Sequence, residues 1–188
     1  MTNGGDRSHE HRLIVAGFGG QGVLTLGRLL CQAVMSEGKQ VTCLPSYGSE
    51  VRGGTANCNV VISRDDIYNT VVEEADSLII LNRMSFERFG DALKRGGLLV
   101  LNTSMVHPGD YGARRGVRAV EVPATEMAGG LGNVVVANVI MLGAYATASQ
   151  LCAVASARSA VEQMLAGRKH EVLDLNLKAL AAGAALGA

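Results

Sequence analysis

Tryptophan is absent from this 188-residue chain, proline occurs three times, and only 18% of residues are charged. A typical soluble domain carries about 25% charged residues. Basic and acidic residues balance at 17 each, so no net field draws the chain to nucleic acid or to an anionic membrane surface. Hydrophobic residues make up 48% of the chain, much of it Ala, Val and Leu, and little charge remains to cover the outside. That balance predicts a subunit buried among partners, by analogy with the apolar interfaces of obligate complexes. No internal repeat and no Pro- or Ser-rich linker divides the sequence, so one domain is expected, large enough to bury a real core.

The four cysteines, Cys31, Cys43, Cys58 and Cys152, include no Cys-x-x-Cys pair. This is neither zinc-site spacing nor the clustered spacing of an iron–sulfur centre. Free thiols in a reducing cytoplasm are the expectation. Residues 1–11 are expected to be disordered: Met1 to Arg12 is polar, has no apolar core of a signal peptide, and places His9 and His11 in a frayed, solvated end. From Met127 to Ala157 there is no charged side chain. Asn133, Asn138, Thr147, Ser149 and Gln150 interrupt that stretch and Ala and Gly fill much of it, so a buried helix is expected rather than a membrane span.

Hydrophobic periodicity sets the element order. Leu13 to Ala16 reads as a buried strand, and Val23, Leu26, Leu29, Leu30, Ala33 and Val34 recur at helical spacing before Gly38. Strands follow at Gln40 to Leu44, closed by Pro45, at Thr55 to Ile62 and at Ser77 to Leu81. Met84 to Lys94 reads as helical, and Arg95-Gly96-Gly97 as a turn into a strand at Leu98 to Leu101. A strand at Val117 to Val122, a short helix at Thr125 to Leu131, a long helix at Val134 to Gln150 and two Ala-rich helical stretches complete the chain. The alternation of strand and helix in the first half predicts an α/β fold: three layers, with a largely parallel sheet between helices and an Ala-rich helical C-terminal part.

Two glycine-dense loops stand out, each after a strand-like run, where open α/β sheets build binding sites. The first holds Gly17, Gly19, Gly20, Gln21 and Gly22; the second holds Tyr47, Gly48, Glu50, Arg52, Gly53 and Gly54. Formally the first completes G-x-G-x-x-G between a strand and a helix, a geometry suited to an anion. A dinucleotide site also needs a carboxylate at the end of the next strand. That strand ends Cys43-Leu44-Pro45-Ser46, which argues against NAD. No Gly-Lys-Ser/Thr follows, so the P-loop reading fails too. In the second loop Arg52 presents a planar fork suited to a carboxylate or phosphate, or Glu50 and Arg52 fix a loop or interface. Tyr47 is suited to stacking on a ligand or anchoring a partner.

Catalytic arrangements are thin. Ser85, Ser104 and Cys58 have no His at a telling spacing, and His107 precedes the turn pair Pro108-Gly109. Asp65-Asp66 and Glu73-Glu74 read as solvated loop charges. No catalytic residue and no metal ligand is assigned to this chain.

The run Leu13-Ile14-Val15-Ala16-Gly17-Phe18-Gly19-Gly20-Gln21-Gly22-Val23 resembles the start of the gamma subunit of 2-oxoacid:ferredoxin oxidoreductases. Pro45-Ser46-Tyr47-Gly48-Ser49-Glu50-Val51-Arg52-Gly53-Gly54-Thr55-Ala56-Asn57-Cys58 is similar to that family's second signature, with Ser49 where the family has Pro. Gly132-Asn133, Asn138 and Met141-Leu142-Gly143-Ala144 resemble its long carboxyl-side helix. The resemblance runs from about residue 12 to at least residue 165, and implies one gamma-type domain over residues 12–188.

It also implies a division of labour. In such enzymes thiamine diphosphate attacks the 2-oxoacid, carbon dioxide leaves, electrons pass through iron–sulfur clusters to ferredoxin, and the acyl group goes to coenzyme A. Thiamine diphosphate with magnesium is expected in alpha and beta subunits, and the clusters in an iron–sulfur subunit. This chain then binds no cofactor itself, works in the cytoplasm, docks on the thiamine-binding subunits and helps shape the coenzyme A approach. The second signature looks most like the 2-oxoglutarate type, with branched-chain 2-oxoacid and indolepyruvate relatives close by. Two other readings stand beside it: a free-standing nucleotide- or flavin-binding redox protein, a homo-oligomer when isolated, and a non-catalytic scaffold.

Overall fold

Strand β1 (His11–Phe18) is the middle of a six-stranded sheet ordered β2-β3-β1-β4-β5-β6 in this computed structural model, which describes residues 10–47, 55–107 and 116–188. Both faces of β1 are covered, which is why Leu13, Ile14, Val15 and Ala16 form an unbroken apolar run. The strand begins before the expected Leu13, so His11 belongs to the sheet and not to a frayed end; His9 lies outside the described residues.

Helix α1 (Val23–Ser36) buries the expected stripe of Val23, Leu26, Leu29, Leu30, Ala33 and Val34. Gly38, at φ 78°, follows its end and turns the chain back. Strand β2 (Gln40–Tyr47) does not close at Pro45 but runs through it. Proline has no N–H to give a second neighbour, and β2 needs none because it is an edge strand. Strand β3 (Thr55–Ser63) pairs antiparallel with both β2 and β1. Strands β4 (Ala75–Ile80), β5 (Leu93–Asn102) and β6 (Arg118–Val122) add in parallel beyond β1. Only β3 runs against the rest, so the sheet is mixed but largely of one direction. The alternation expected for the first half is broken there by the β2–β3 hairpin.

Further boundaries differ from the sequence reading. Helix α2 (Arg83–Phe89) stops well before Lys94, and a 3-10 turn, Gly90–Ala92, leads directly into β5. The expected Arg95-Gly96-Gly97 turn is a bulge inside β5: Leu93 pairs with Ala75 and Leu98 with Ser77, leaving the residues between as surplus. Gly96 takes φ 79° there. The long carboxyl-side helix likewise begins late. Val134–Val136 is a 3-10 turn, and α4 is Ala137–Ser149. Val134 and Val135 are 57% and 68% exposed, not buried.

Helices α3 (Ala124–Gly130), α5 (Val154–Met164) and α6 (His170–Ala184) complete the chain. The main core lies between one face of the sheet and α1, α4, α5 and α6. A smaller core on the other face gathers Ile14, Ala16, Leu78, Ile80, Leu99 and Leu101 under α2 and Phe86. This is the three-layer arrangement expected. Helices α4 and α6 touch backbone to backbone: a Cβ on Gly143 would collide with the Leu180 carbonyl, and one on Gly183 with the Ile140 carbonyl. Small residues in the uncharged stretch therefore serve close helix packing. Among the described residues no helix is long and apolar enough to cross a membrane.

Candidate functional site

Strands β1 and β2 both pair with the reversed β3, so they run the same way and end at the same edge of the sheet. The register sets the loops' stems side by side: Phe18 faces Thr55, and Tyr47 faces Ala56. The two glycine loops, some thirty residues apart in sequence, thus leave the sheet together. Gly48, Glu50, Arg52, Gly53 and Gly54 lie outside the described residues.

The first loop is built around Gln21. Its backbone N–H donates to the Phe18 carbonyl at 3.1 Å, while its side-chain oxygen accepts from the Phe18 N–H at 2.7 Å and from Asn82 Nδ2 at 2.8 Å. Asn82, just after β4, also caps α2 by accepting from the Ser85 N–H at 2.9 Å. At the end of β5, Asn102 Nδ2 donates to the Leu81 carbonyl at 3.1 Å and to Thr125 Oγ1 at 2.9 Å. Side-chain amides therefore tie together the carboxyl ends of β1, β4 and β5, and Asn82 and Asn102 are each 1% exposed. Sequence reading assigned Gln21 to ligand or partner; the structure commits its side-chain oxygen inside the chain, and nothing in the sequence pattern flagged Asn82 or Asn102.

Three of the four glycines of this loop have separate reasons to lack a side chain. A Cβ on Gly17 would lie 2.8 Å from Val23 Cγ2 and 2.9 Å from Gln21 Oε1. Gly22 sits at φ 73° at the start of α1, and a Cβ there would run into Asn138, whose Nδ2 donates to the Gly22 carbonyl at 3.2 Å. Gly20 has φ 95°. Gly19 has no positive φ, and among the described residues nothing lies within 4 Å of the Cβ it lacks. Gly19 and Gly20 are exposed. Among the described residues, packing and backbone give no reason for glycine at position 19.

Beside this loop opens a cavity of about 740 Å³ between α1, α4, α5 and α6. Its walls are mostly apolar, with Phe18, Val23, Val136, Val139, Val161 and Leu165 among them, and Asn133, Asn138, Glu171 and Asn176 as polar points. Exposed Val135, Met164 and Val172 also line it.

Ser85, Ser104 and Cys58 do not assemble a nucleophilic centre. Ser85 Oγ is buried without a hydrogen-bond partner, Ser104 Oγ accepts from the Glu126 N–H at 3.1 Å, and Cys58 lies against Cys43. Among the described residues no group of three or more His, Cys, Asp or Glu could hold a metal ion.

At the opposite edge of the sheet the structure assembles a cluster that sequence reading missed. His11 Nε2 lies 2.8 Å from Ser77 Oγ, which lies 2.8 Å from the hydroxyl of the fully buried Tyr145. Asp76 accepts from the Arg12 N–H at 2.8 Å and from Lys94 Nζ at 2.6 Å. Burial holds His11 below the ordinary imidazole range although the Asp76 charge pulls the other way. Burial also pushes the Tyr145 phenol up. This group ties the first residues of β1 to the last turns of α4. The Arg118 guanidinium adds a bond to the Ala148 carbonyl at the end of that helix, where the macrodipole favours a cation.

Residues 12–186 match the family model described as pyruvate ferredoxin/flavodoxin oxidoreductase. The ketoisovalerate oxidoreductase subunit VorA of Methanothermobacter thermautotrophicus is 42% identical over 177 residues, covering 93% of this chain and 36% of that protein. The 2-oxoglutarate synthase subunit KorC of the same organism is 34% identical over 174 residues, covering 90% of each. The chain thus spans about a third of the ketoisovalerate relative's length and nearly all of the other's. A solved structure described as 2-oxoglutarate:ferredoxin oxidoreductase from Magnetococcus marinus with 2-oxoglutarate, coenzyme A and succinyl-CoA bound superposes at a TM-score of 0.83. It shares 24% identity, over 95% of this chain and 31% of that one.

Proposed function

We infer that this chain, which belongs to the pyruvate ferredoxin/flavodoxin oxidoreductase family, acts as the gamma subunit of a multi-subunit 2-oxoacid:ferredoxin oxidoreductase. Its partners are thiamine-binding alpha and beta subunits and an iron–sulfur subunit, with ferredoxin as electron acceptor. The reaction is oxidative decarboxylation of a 2-oxoacid to an acyl-CoA. We assign 2-oxoglutarate as the substrate, on the second signature and the full-length similarity to the 2-oxoglutarate synthase subunit. The similarity to a ketoisovalerate enzyme makes a branched-chain 2-oxoacid the competing substrate to assay.

The observation that carries the reading is the sheet edge at which the stems of both glycine loops stand side by side, with an apolar cavity beside the first loop. Exposed Val134, Val135, Met164 and Val172 around that cavity suit burial against another subunit. Gly19, which no described residue of its own chain crowds, fits the close approach of a partner or of coenzyme A to the loop backbone. In this role the chain binds and orients; the decarboxylation chemistry belongs to the thiamine-binding subunits.

The test is affinity purification of the full chain from its native cell, with mass spectrometry of what accompanies it. Thiamine-binding and iron–sulfur subunits should be recovered, together with coenzyme A-dependent oxidation of 2-oxoglutarate. Recovery of a homo-oligomer alone would overturn the subunit reading. In the reconstituted complex, Arg52→Ala should weaken assembly or raise the coenzyme A concentration needed; no change in either removes Arg52 from the site.

A further inference from the structure

Three of the four cysteines, scattered in sequence, meet in the fold. Cys31 lies on α1, Cys43 on β2 and Cys58 on β3. Cys43 faces Val60 across the hairpin and Pro45 faces Cys58, so the two cysteines are diagonal neighbours on one face of the sheet. Their sulfurs are 2.8 Å apart. Helix α1 crosses above them at Gly27, where a Cβ would lie 2.9 Å from Cys58 Sγ and 3.7 Å from Cys43 Sγ. Cys31, one turn after Gly27 on the same helix, belongs to the core cluster that holds Cys58 and packs against Cys43. Cys152 is buried elsewhere, at the far end of α4.

We propose that Cys43 and Cys58 form an oxidisable dithiol, which a peroxide converts to a disulfide bridging β2 and β3. Access and hydrogen bonding divide the roles. Cys43 is partly exposed, while Cys31 and Cys58 are buried, so of the three Cys43 is the one that can meet an oxidant arriving from water. Thiol hydrogen bonds from Cys31 and Cys58, helped by the Arg28 charge, favour the Cys43 thiolate. The same bonds hold Cys58 as a thiol. The thiolate is the attacking species in such chemistry.

In the first step the Cys43 thiolate attacks hydrogen peroxide. An S–O bond forms, the O–O bond breaks, and the departing hydroxide takes a proton and leaves as water. In the second step Cys58 sulfur displaces hydroxide from the Cys43 sulfenic acid. The S–S bond forms, the S–O bond breaks, and the thiol proton leaves with the hydroxide as a second water. Two thiols lose two electrons and one peroxide becomes two waters. The bond would clamp the hairpin whose stem carries the second glycine loop, and Cys31 would remain free.

Trypsin separates the three cysteines, because Arg28, Lys39, Arg52 and Arg64 place them in peptides 29–39, 40–52 and 53–64. The reduced full chain is treated with stoichiometric hydrogen peroxide, alkylated and digested without reductant. A covalent pair of peptides 40–52 and 53–64, lighter than their sum by two hydrogens, is expected. Alkylated Cys43, Cys43 oxidised singly to sulfinic acid, or a link to peptide 29–39 in its place would each overturn the proposal. In Cys58→Ser, Cys43 should stop at the sulfenic acid and be captured by dimedone. Failure to capture it would overturn the attacking role.

Discussion

Asn82 holds three things at once: the Gln21 side chain, the first turn of α2, and through Gln21 the start of the first glycine loop. Replacing it with Ala leaves the buried Ser85 N–H without its capping acceptor, at a cost of about 1–3 kcal/mol. In a chain of this size each kcal/mol lowers Tm by about 2–4 °C, so calorimetry of Asn82→Ala should show a clear drop. Such a brace is invisible in sequence because an Asn after a strand is ordinary turn chemistry; only the sheet order brings it to Gln21. His11 gives a second residue-scale expectation. Its folded value lies below the ordinary 6.5, so the unfolded chain binds the proton first as pH falls. Stability should therefore decrease as pH drops below about 6.5 toward the folded value. Asp76 is the opposite kind of group: burial raises it, but Lys94, the Arg12 N–H and His11 outweigh that and leave it below 3.8. Its contribution is complete above that value and is lost only in stronger acid. Melting His11→Gln across mildly acidic pH should show the slope near 6.5 flattened relative to the native chain.

Among elements, the strands were legible wherever apolar residues ran unbroken, as at Leu13–Ala16, because a strand covered on both faces has no polar alternative. Boundaries were less legible. Pro45 reads as a stop unless β2 is known to be an edge, and the Gly96-Gly97 pair reads as a turn unless the bulge against β4 is seen. The glycines in the carboxyl-side helices were visible, but not their purpose, since Gly143 and Gly183 meet across two separate elements. Gly183→Ala should force α6 away from the Ile140 carbonyl. Overpacking of this kind costs about 1–3 kcal/mol, and a lowered Tm with α-helical content retained is the expected outcome by circular dichroism.

At the scale of the molecule, the two sequence signatures identified the family while leaving the site half-drawn. They located the loops but could not show that β3 runs backwards and so places their stems side by side. Gly19 separates assembly from folding. Gly19→Ala meets no described residue, so the isolated chain should keep its stability within about 0.5 kcal/mol. On the proposed function, association with thiamine-binding subunits, or the response to coenzyme A, should weaken. A Tm loss as large as that of Asn82→Ala would instead make Gly19 an ordinary structural glycine.

Among the described residues the order of the sheet leaves two open edges, and each is blunted. Strand β2 carries Pro45, which has no N–H to offer a newcomer, and β6 carries Arg118 and Glu121. Proline and charge at an edge discourage strand-by-strand growth. On the proposed subunit role, a copy of this chain synthesised ahead of its partners is thereby guarded against cross-β aggregation while the apolar face proposed to dock is still uncovered. In the cell, that gives an unmatched subunit time to wait.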